Sequence, residues 1–395
     1  MKLVFSTEEL RYAVASVAVA ATYDISQPEF STMLIRTSQL GGVEISTADS
    51  TMGVTATVNY LNDPVEPVDV RLPLRLFLGV LKACSSDTVE LLVEEKVCKV
   101  KAKKLSVEVK RLLHSSFEPF EAAGESDKLL DTSFGNVKRW VNTSRWVVPK
   151  RVTSPAFGFL HLLQRNSSAS FIASDVTSLV LLDTNKEIED ESKDVAGTSS
   201  PMDVALSPRL ASAILSLPVA DTDYVGFYLN DGGGILKVVA EKEETGQVFI
   251  LYGATGSAAF PKHDKLVALP DPGYTVVVEK SELLEVVSRL NSIMAAEGAK
   301  FFRGRFSFGG GVCEIKSTSV DFDLSDEFGY MNDGFDIDAE FTSHLDTQKM
   351  EAALRNTASD SVRIVLSLEN GKPVHVCDSL PTGESYHFVL MPLTG

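Results

Sequence analysis

One pattern of apolar and polar positions runs along the chain three times. In the first copy Phe77 and Leu81 stand one helical turn apart, Asp87 follows six residues later, and Val89 comes two residues after that. The second copy reads Ala213, Leu217, Asp223, Val225, and the third Met350, Leu354, Asp360, Val362. Leu81, Leu217 and Leu354 are spaced by 136 and 137 residues. That period is too long for a solenoid unit and has the length of a small domain. The i, i+4 apolar pair predicts a helix in each copy. The alternation after each Asp predicts antiparallel strands with one buried face.

Each copy carries a second helical stripe upstream. Leu10, Val14 and Val17 follow Ser6 or Thr7 as N-cap, with Glu8 and Glu9 in the opening turn. Phe134, Val137 and Val141 follow Asp131, which reads as the cap of the counterpart helix. Leu283, Val286, Val287 and Leu290 follow Glu279 and Lys280. The later helices open near Pro73, near Pro208, and at Asp346 or Thr347. A strand pair comes after each: residues 87–91 with 97–100, 223–227 with 235–238, and 360–364 with 374–376. Turn residues 230–234 and 370–373 join the last two pairs. Lys99, Lys101 and Lys103 alternate, which places them on one strand face. With Lys96 and Lys104 they either guard a sheet edge or make an electrostatic contact. The reading is an α+β chain of three similar domains, 1–125, 126–272 and 273–395. An exposed acidic loop at 187–194 interrupts the second.

Composition allows real cores. The chain has 395 residues, 44% of them hydrophobic. Its formal charge is −17, from 54 acidic and 37 basic residues. A net charge describes the whole surface and leaves the sign of any one face open. Cys84, Cys98, Cys313 and Cys377 make no CxxC pair and no zinc spacing, and read as reduced buried thiols. The N-terminus lacks the features of a secretory leader, and no apolar run approaches the ~18 residues of a membrane span. The expectation is a soluble cytoplasmic protein.

Catalytic motifs do not appear. There is no HExxH, GxSxG, phosphate loop or dinucleotide fingerprint. Gly232–Gly234 and Gly309–Gly311 read as hairpin turns. The six His are scattered, and none lies at metal-binding spacing. Asp336 and Asp338, or Asp321 and Asp323, have the alternation of a two-metal site, but a solvated strand face explains them as well. The repeated Asp87, Asp223 and Asp360 read as turn residues bonding their own backbone. No catalytic residue, metal or cofactor is expected, and a hydrolase or nuclease lacks support.

The basic residues are more informative. Arg11, Arg75, Lys82, Lys138, Arg139, Arg145, Arg209, Arg289, Lys349 and Arg355 lie on or beside the predicted helices. If the apolar stripes pack on sheets, these side chains face away from them. A surface lined by such helices holds a phosphate backbone without reading bases. Solubility alone also places Lys and Arg on helices.

From end to end the chain resembles the bacterial sliding clamps, the beta subunit of replicative DNA polymerase III. The resemblance rests on the N-terminal strand and its Glu-containing helix, on Pro73-Leu74-Arg75-Leu76-Phe77, and on Phe117-Glu118-Pro119-Phe120. It continues in Phe260-Pro261 ahead of Leu269-Pro270, in Phe302-Arg303-Gly304, and in Val389-Leu390-Met391-Pro392-Leu393. It implies three clamp domains, each with two helices packed on antiparallel sheets, and a head-to-tail homodimeric ring around double-stranded DNA. The implied partners are the replicative polymerase, the clamp loader, and repair proteins with short hydrophobic motifs. The implied groove for those motifs is Ser174, Val176 and Leu179, with Pro261, Lys265 and Leu266, and with Val389, Met391 and Leu393. The implied ring interface sets Val107 and Val109 against Ile293 and Met294. The chain departs from the family at Asp175–Leu179, which lacks the usual Gly-His-Arg-Leu. It is about two residues longer between Pro261 and Leu269, and its tail has no Arg. A divergent bacterial or phage member fits these departures. The other reading is a scaffold that uses the clamp fold without encircling DNA.

Overall fold

A computed structural model describes all residues except 24–25, 39–41, 63–66, 113–125, 153, 166–167, 188–201, 231, 272, 319–322, 333–340, 368, 370, 381 and 394–395. Several expectations therefore lie outside the described residues. They are both domain boundaries, Phe117–Phe120, all but the first residue of the acidic 187–194 run, and Asp321, Asp336 and Asp338.

The elements follow one order three times, with one two-residue strand added in the third series. First come β1 (Lys2–Ser6), α1 (Thr7–Val17), β2 (Thr32–Thr37), β3 (Val43–Ala48), β4 (Met52–Val58), β5 (Asp69–Pro73), α2 (Leu74–Ala83), β6 (Thr88–Val93), β7 (Val97–Ala102) and β8 (Leu105–Lys110). Then come β9 (Ser126–Ser133), α3 (Phe134–Arg145), β10 (Leu160–Arg165), β11 (Ser168–Ser174), β12 (Ser178–Glu187), β13 (Asp203–Leu206), α4 (Pro208–Leu215), β14 (Tyr224–Asn230), β15 (Ile235–Lys242) and β16 (Gln247–Ala254). A one-turn helix α5 (Asp264–Val267) precedes the last series. That series is β17 (Gly273–Glu279), α6 (Lys280–Ala296), β18 (Arg303–Gly309), β19 (Val312–Thr318), β20 (Asp323–Gly329), β21 (Met331–Asn332), β22 (Phe341–Asp346), α7 (Thr347–Asn356), β23 (Ser361–Ser367), β24 (Val374–Ser379) and β25 (Ser385–Leu390).

The described residues form two compact units. The first takes its residues from 1–138 and 209–257. It holds a four-stranded sheet, β1-β6-β7-β8, and an eight-stranded one, β5-β2-β3-β4-β16-β15-β14-β9. The second takes its residues from 139–187, 202–208 and 258–393. It holds a nine-stranded sheet, β13-β10-β11-β12-β25-β24-β23-β17-β21, and a four-stranded one, β20-β19-β18-β22. Every strand pair is antiparallel.

The threefold apolar pattern is core. Phe77, Leu81, Val89, Ala213, Leu217, Val225, Met350, Leu354 and Val362 are all buried. The repeated Asp sits one residue before a strand, and what recurs is its carbonyl rather than its side chain. Asp87, Asp223 and Asp360 each accept a backbone bond from the first residue of the upstream helix: Thr7 at 2.9 Å, Phe134 at 2.8 Å and Lys280 at 2.8 Å. The strand before each of those helices pairs with the strand after the Asp in one register, Ser6 with Thr88, Ser133 with Tyr224, and Glu279 with Ser361. Only Asp223 is seen in the expected side-chain turn, accepting from Ala220 N–H at 2.6 Å.

Capping explains the helix starts. Ser6 Oγ accepts from Glu9 N–H at the head of α1, and Asp346 does the same for Lys349 at the head of α7. The second helix does not begin as expected. Asp131 lies inside β9 and pairs with Lys128 at 2.7 Å, because the strand runs on to Ser133. Lys103 is not on the strand face either. It occupies the turn between β7 and β8 with φ 50°, while Lys99 bonds Glu94 and Glu108.

Buried Trp140 of α3 sits beside Phe171 and donates its indole N–H to Glu384. The four cysteines are buried and unpaired, and burial raises their thiol pKa values. Among the described residues no helix is long and apolar enough to cross a membrane, and no His, Cys, Asp or Glu cluster has metal-binding geometry.

Candidate functional site

The turn between β11 and β12 is built on one carboxylate. Asp175 Oδ1 accepts from the N–H and hydroxyl of Thr177 and from the N–H and hydroxyl of Ser178, at 2.7 to 3.1 Å. Ser174 Oγ bonds the Ser178 carbonyl and accepts from Val176 N–H. These bonds force Val176 to φ 81°, a left-handed conformation that a β-branched residue rarely takes. Val176 is 57% exposed. The second carboxylate oxygen takes Lys349 Nζ at 2.6 Å, and Lys349 also bonds the Thr177 hydroxyl. Burial pushes the Asp175 carboxyl up, but the Lys349 bond and charge and the Ser178 bonds outweigh it and hold the pKa below its usual value.

The first unit repeats this device. Between β3 and β4, Asp49 Oδ1 accepts from Thr51 N–H, the Thr51 hydroxyl and Met52 N–H. Its other oxygen takes the Thr22 hydroxyl and the Arg209 guanidinium. Burial raises this carboxyl too, yet the Thr22, Thr51 and Arg209 bonds bring it down to about 2. Each Asp-x-Thr turn is thus clasped by a cation near the head of a later helix, Arg209 on α4 and Lys349 on α7.

The groove residues meet in part. β12 pairs with β25 so that Leu179 lies opposite Val389, and Met391 N–H reaches the Thr177 carbonyl at 2.9 Å. Leu179 and Val389 belong to one buried cluster with Leu163, Ile172, Leu181 and Val267, and Phe260 packs on it. Val267 fills the place expected of Leu266. The turn of α5 points Val267 inward and leaves Lys265, Leu266 and Pro261 exposed. Lys265 and Leu266 border a separate cavity of about 310 Å³ beside His375. Leu393 N–H bonds the His344 carbonyl, and its side chain lines another cavity.

Two histidine arrangements escaped the sequence. Buried His161 bonds Asp203 at 2.6 Å and lies edge-on to Phe260. His375 bonds His387 across β24 and β25 at 2.7 Å. Burial drives the His375 pKa down to about 4.

Most of the helix cations have partners. Lys138 pairs with Asp221, Arg139 with Glu384, Arg209 with Asp49, Arg289 with Glu285 and Asp326, Lys349 with Asp175, and Arg355 with Glu351. Arg11 donates to the Leu81 and Cys84 carbonyls at the end of α2, where the negative end of the helix dipole meets its charge. Arg75 and Lys82 are exposed on α2, with no ion pair among the described residues. Arg145 closes α3 as a last-turn cation.

At the expected interface, Val107 is half-buried and Val109 buried on β8, an edge strand of its sheet. Ile293 is 42% exposed on α6, but its neighbour Met294 faces the core, 1% exposed, where its sulfur accepts from Ser317. Adjacent helical residues point about 100° apart, and here the turn sends Ile293 outward and Met294 into the core.

No protein-family model matches the chain, and no curated protein does. Solved structures do. The DNA polymerase III beta subunit of Pseudomonas aeruginosa aligns over 100% of both chains, with TM-score 0.83 and 18% identity. The beta subunit of Thermotoga maritima aligns over 100% of this chain and 99% of its own, with TM-score 0.80 and 16% identity. A Pseudomonas aeruginosa sliding clamp bound to griselimycin gives TM-score 0.84 and 16% identity over the full length of both chains. The chain has the sliding-clamp fold.

Proposed function

We propose that this protein is a DNA sliding clamp of three clamp domains, 1–125, 126–272 and 273–395. Two copies close head to tail around duplex DNA and tether the replicative polymerase. A clamp loader opens the ring, and the polymerase and repair proteins dock short hydrophobic motifs on the Leu179–Val389 groove. Tethering raises the effective concentration of polymerase at the primer end without making or breaking a bond.

One observation carries the reading. Inside the chain β4 pairs with β16 and β12 pairs with β25, each time joining the fourth strand of one series to the last strand of the next. The same rule leaves two ends open: β20, the corresponding strand of the last series, and β8, the last strand of the first. Both are edge strands. Pairing β20 of one copy with β8 of another repeats the internal junction, and the proposed two-chain ring closes through two such seams. The half-buried inner faces, Leu105 and Val107 on β8 and Leu324 and Asp326 on β20, then cover each other. Ile293 of α6 lies beside that seam, since α6 packs along β20.

The paired helix cations favour a second reading, a clamp-fold scaffold that does not hold DNA. One assay separates the two. The protein is bound to nicked circular plasmid, and half of the sample is linearised. A clamp co-elutes with circles and is lost from linear DNA; a scaffold elutes alone from both. Dimer formation is checked by sedimentation, where Val107→Asp with Leu324→Asp is expected to give monomers. An unchanged dimer would refute the β8–β20 seam.

A further inference from the structure

The sheet β20-β19-β18-β22 sets like charges directly opposite one another. Arg305 of β18 faces Lys316 of β19 on one side and His344 of β22 on the other. Arg303 shares the outward face two residues along. Juxtaposed like charges destabilise a sheet, and the two nearby carboxylates, Asp346 opposite Arg303 and Glu314 within the field of Arg305, are shared with other donors. Glu314 bonds Lys316 and Ser325, and Asp346 caps α7. Neither arginine has an ion pair among the described residues. Burial, then Arg303 and Arg305, keep His344 below its usual pKa.

These groups line a cavity of about 710 Å³ whose other wall is apolar, with Met294, Ala299, Phe301 and Leu393. Phe301 is 85% exposed. Two guanidinium forks without an ion pair among the described residues, beside an uncovered aromatic ring, match a carboxylate next to an apolar side chain.

The geometry points to a binding site for an acidic peptide segment, which rests an aromatic or aliphatic side chain on Phe301 and Leu393 and sets its carboxylates on Arg303 and Arg305. A nucleic-acid strand fits less well. One wall of the cavity is apolar and offers a phosphate backbone no donor, whereas the side chains of a peptide can rest on it. The cavity also continues the groove, because the tail that bonds Thr177 through Met391 bonds His344 through Leu393. The site recognises peptide whether or not the chain encircles DNA.

The test uses the full chain without DNA. Fluorescence anisotropy compares a fluorescein-labelled dodecapeptide of alternating Glu and Phe, its Gln-for-Glu counterpart, and labelled single-stranded dT12. The Glu peptide is expected to bind at least about tenfold more tightly than the Gln peptide. That gap should vanish in Arg303→Gln with Arg305→Gln, while Lys265→Gln keeps it. Both arginines project from the sheet surface, and unchanged far-ultraviolet circular dichroism checks that the variant is folded. Equal binding of the Glu and Gln peptides would overturn the site. So would a gap that survives the double variant, or dT12 binding that disappears with the arginines while peptide binding does not.

Discussion

Val176 shows what a single residue does to the turn between β11 and β12. Its φ of 81° is imposed by the bonds around Asp175, and a valine in that region costs about 1–2 kcal/mol that glycine does not. Val176→Gly is therefore expected to raise stability by about 1 kcal/mol in urea unfolding, with Val176→Ala smaller. Asp49 governs the acid limb. Its folded pKa of about 2 lies below its ordinary 3.8, so its contribution is complete above pH 4 and is lost as pH falls from there toward 2. Asp175 moves in the same direction. The denaturation midpoint should fall across that window, and fall less in Asp49→Asn. Arg209→Ala should cost about 2 kcal/mol at neutral pH, because it leaves a buried carboxylate short of a donor. None of this could be read from spacing. Arg209 meets Asp49 across 160 residues and Lys349 meets Asp175 across 174, and local periodicity speaks only for neighbours a few positions apart.

Elements were more legible than contacts. The apolar stripes and caps marked both helices of each series, since Ser6, Pro73 and Asp346 act within one turn of themselves. Asp131 misled because a strand running to Ser133 and a helix starting at Phe134 leave no loop for a cap to occupy. The inward turn of Val267 was hidden for a similar reason: a one-turn helix is too short to show a period, so its buried residue could not be told from its neighbour. Sheet junctions were invisible, because an edge strand and a paired strand share one alternation. Gly253 tests such a junction. It sits on β16 where α4 docks, and a Cβ there would lie 2.4 Å from Leu210 Cδ1. Leu210 is itself buried and has little room to turn. Gly253→Ala should cost about 1–3 kcal/mol by overpacking, and Leu210→Ala in the same chain should recover part of it. Strictly additive losses in the double variant would show that α4 does not rest on that glycine.

At the scale of the whole molecule, charge decides how a ring would keep its DNA. The protein carries −17, and the helix cations that point to DNA are largely spent on Asp and Glu of the same chain. Each phosphate contact adds about 0.9 to the slope of log affinity against log salt for duplex DNA. With Arg75 and Lys82 as exposed helix cations of the first unit that have no ion pair among the described residues, that slope should be shallow and affinity for linear duplex weak. A closed ring has no such dependence, since leaving a circle requires opening the β8–β20 seam rather than exchanging counterions. Retention on nicked circles should therefore persist at about 0.5 M salt, where the Debye length is near 4 Å and binding to linear DNA is gone. Arg75→Ala with Lys82→Ala separates the two contributions. It should lower the salt slope on linear DNA by about one unit per lost contact and leave retention on circles unchanged. If the double variant falls off circles as readily as off linear duplex, contact rather than closure holds the DNA, and the seam has no topological role.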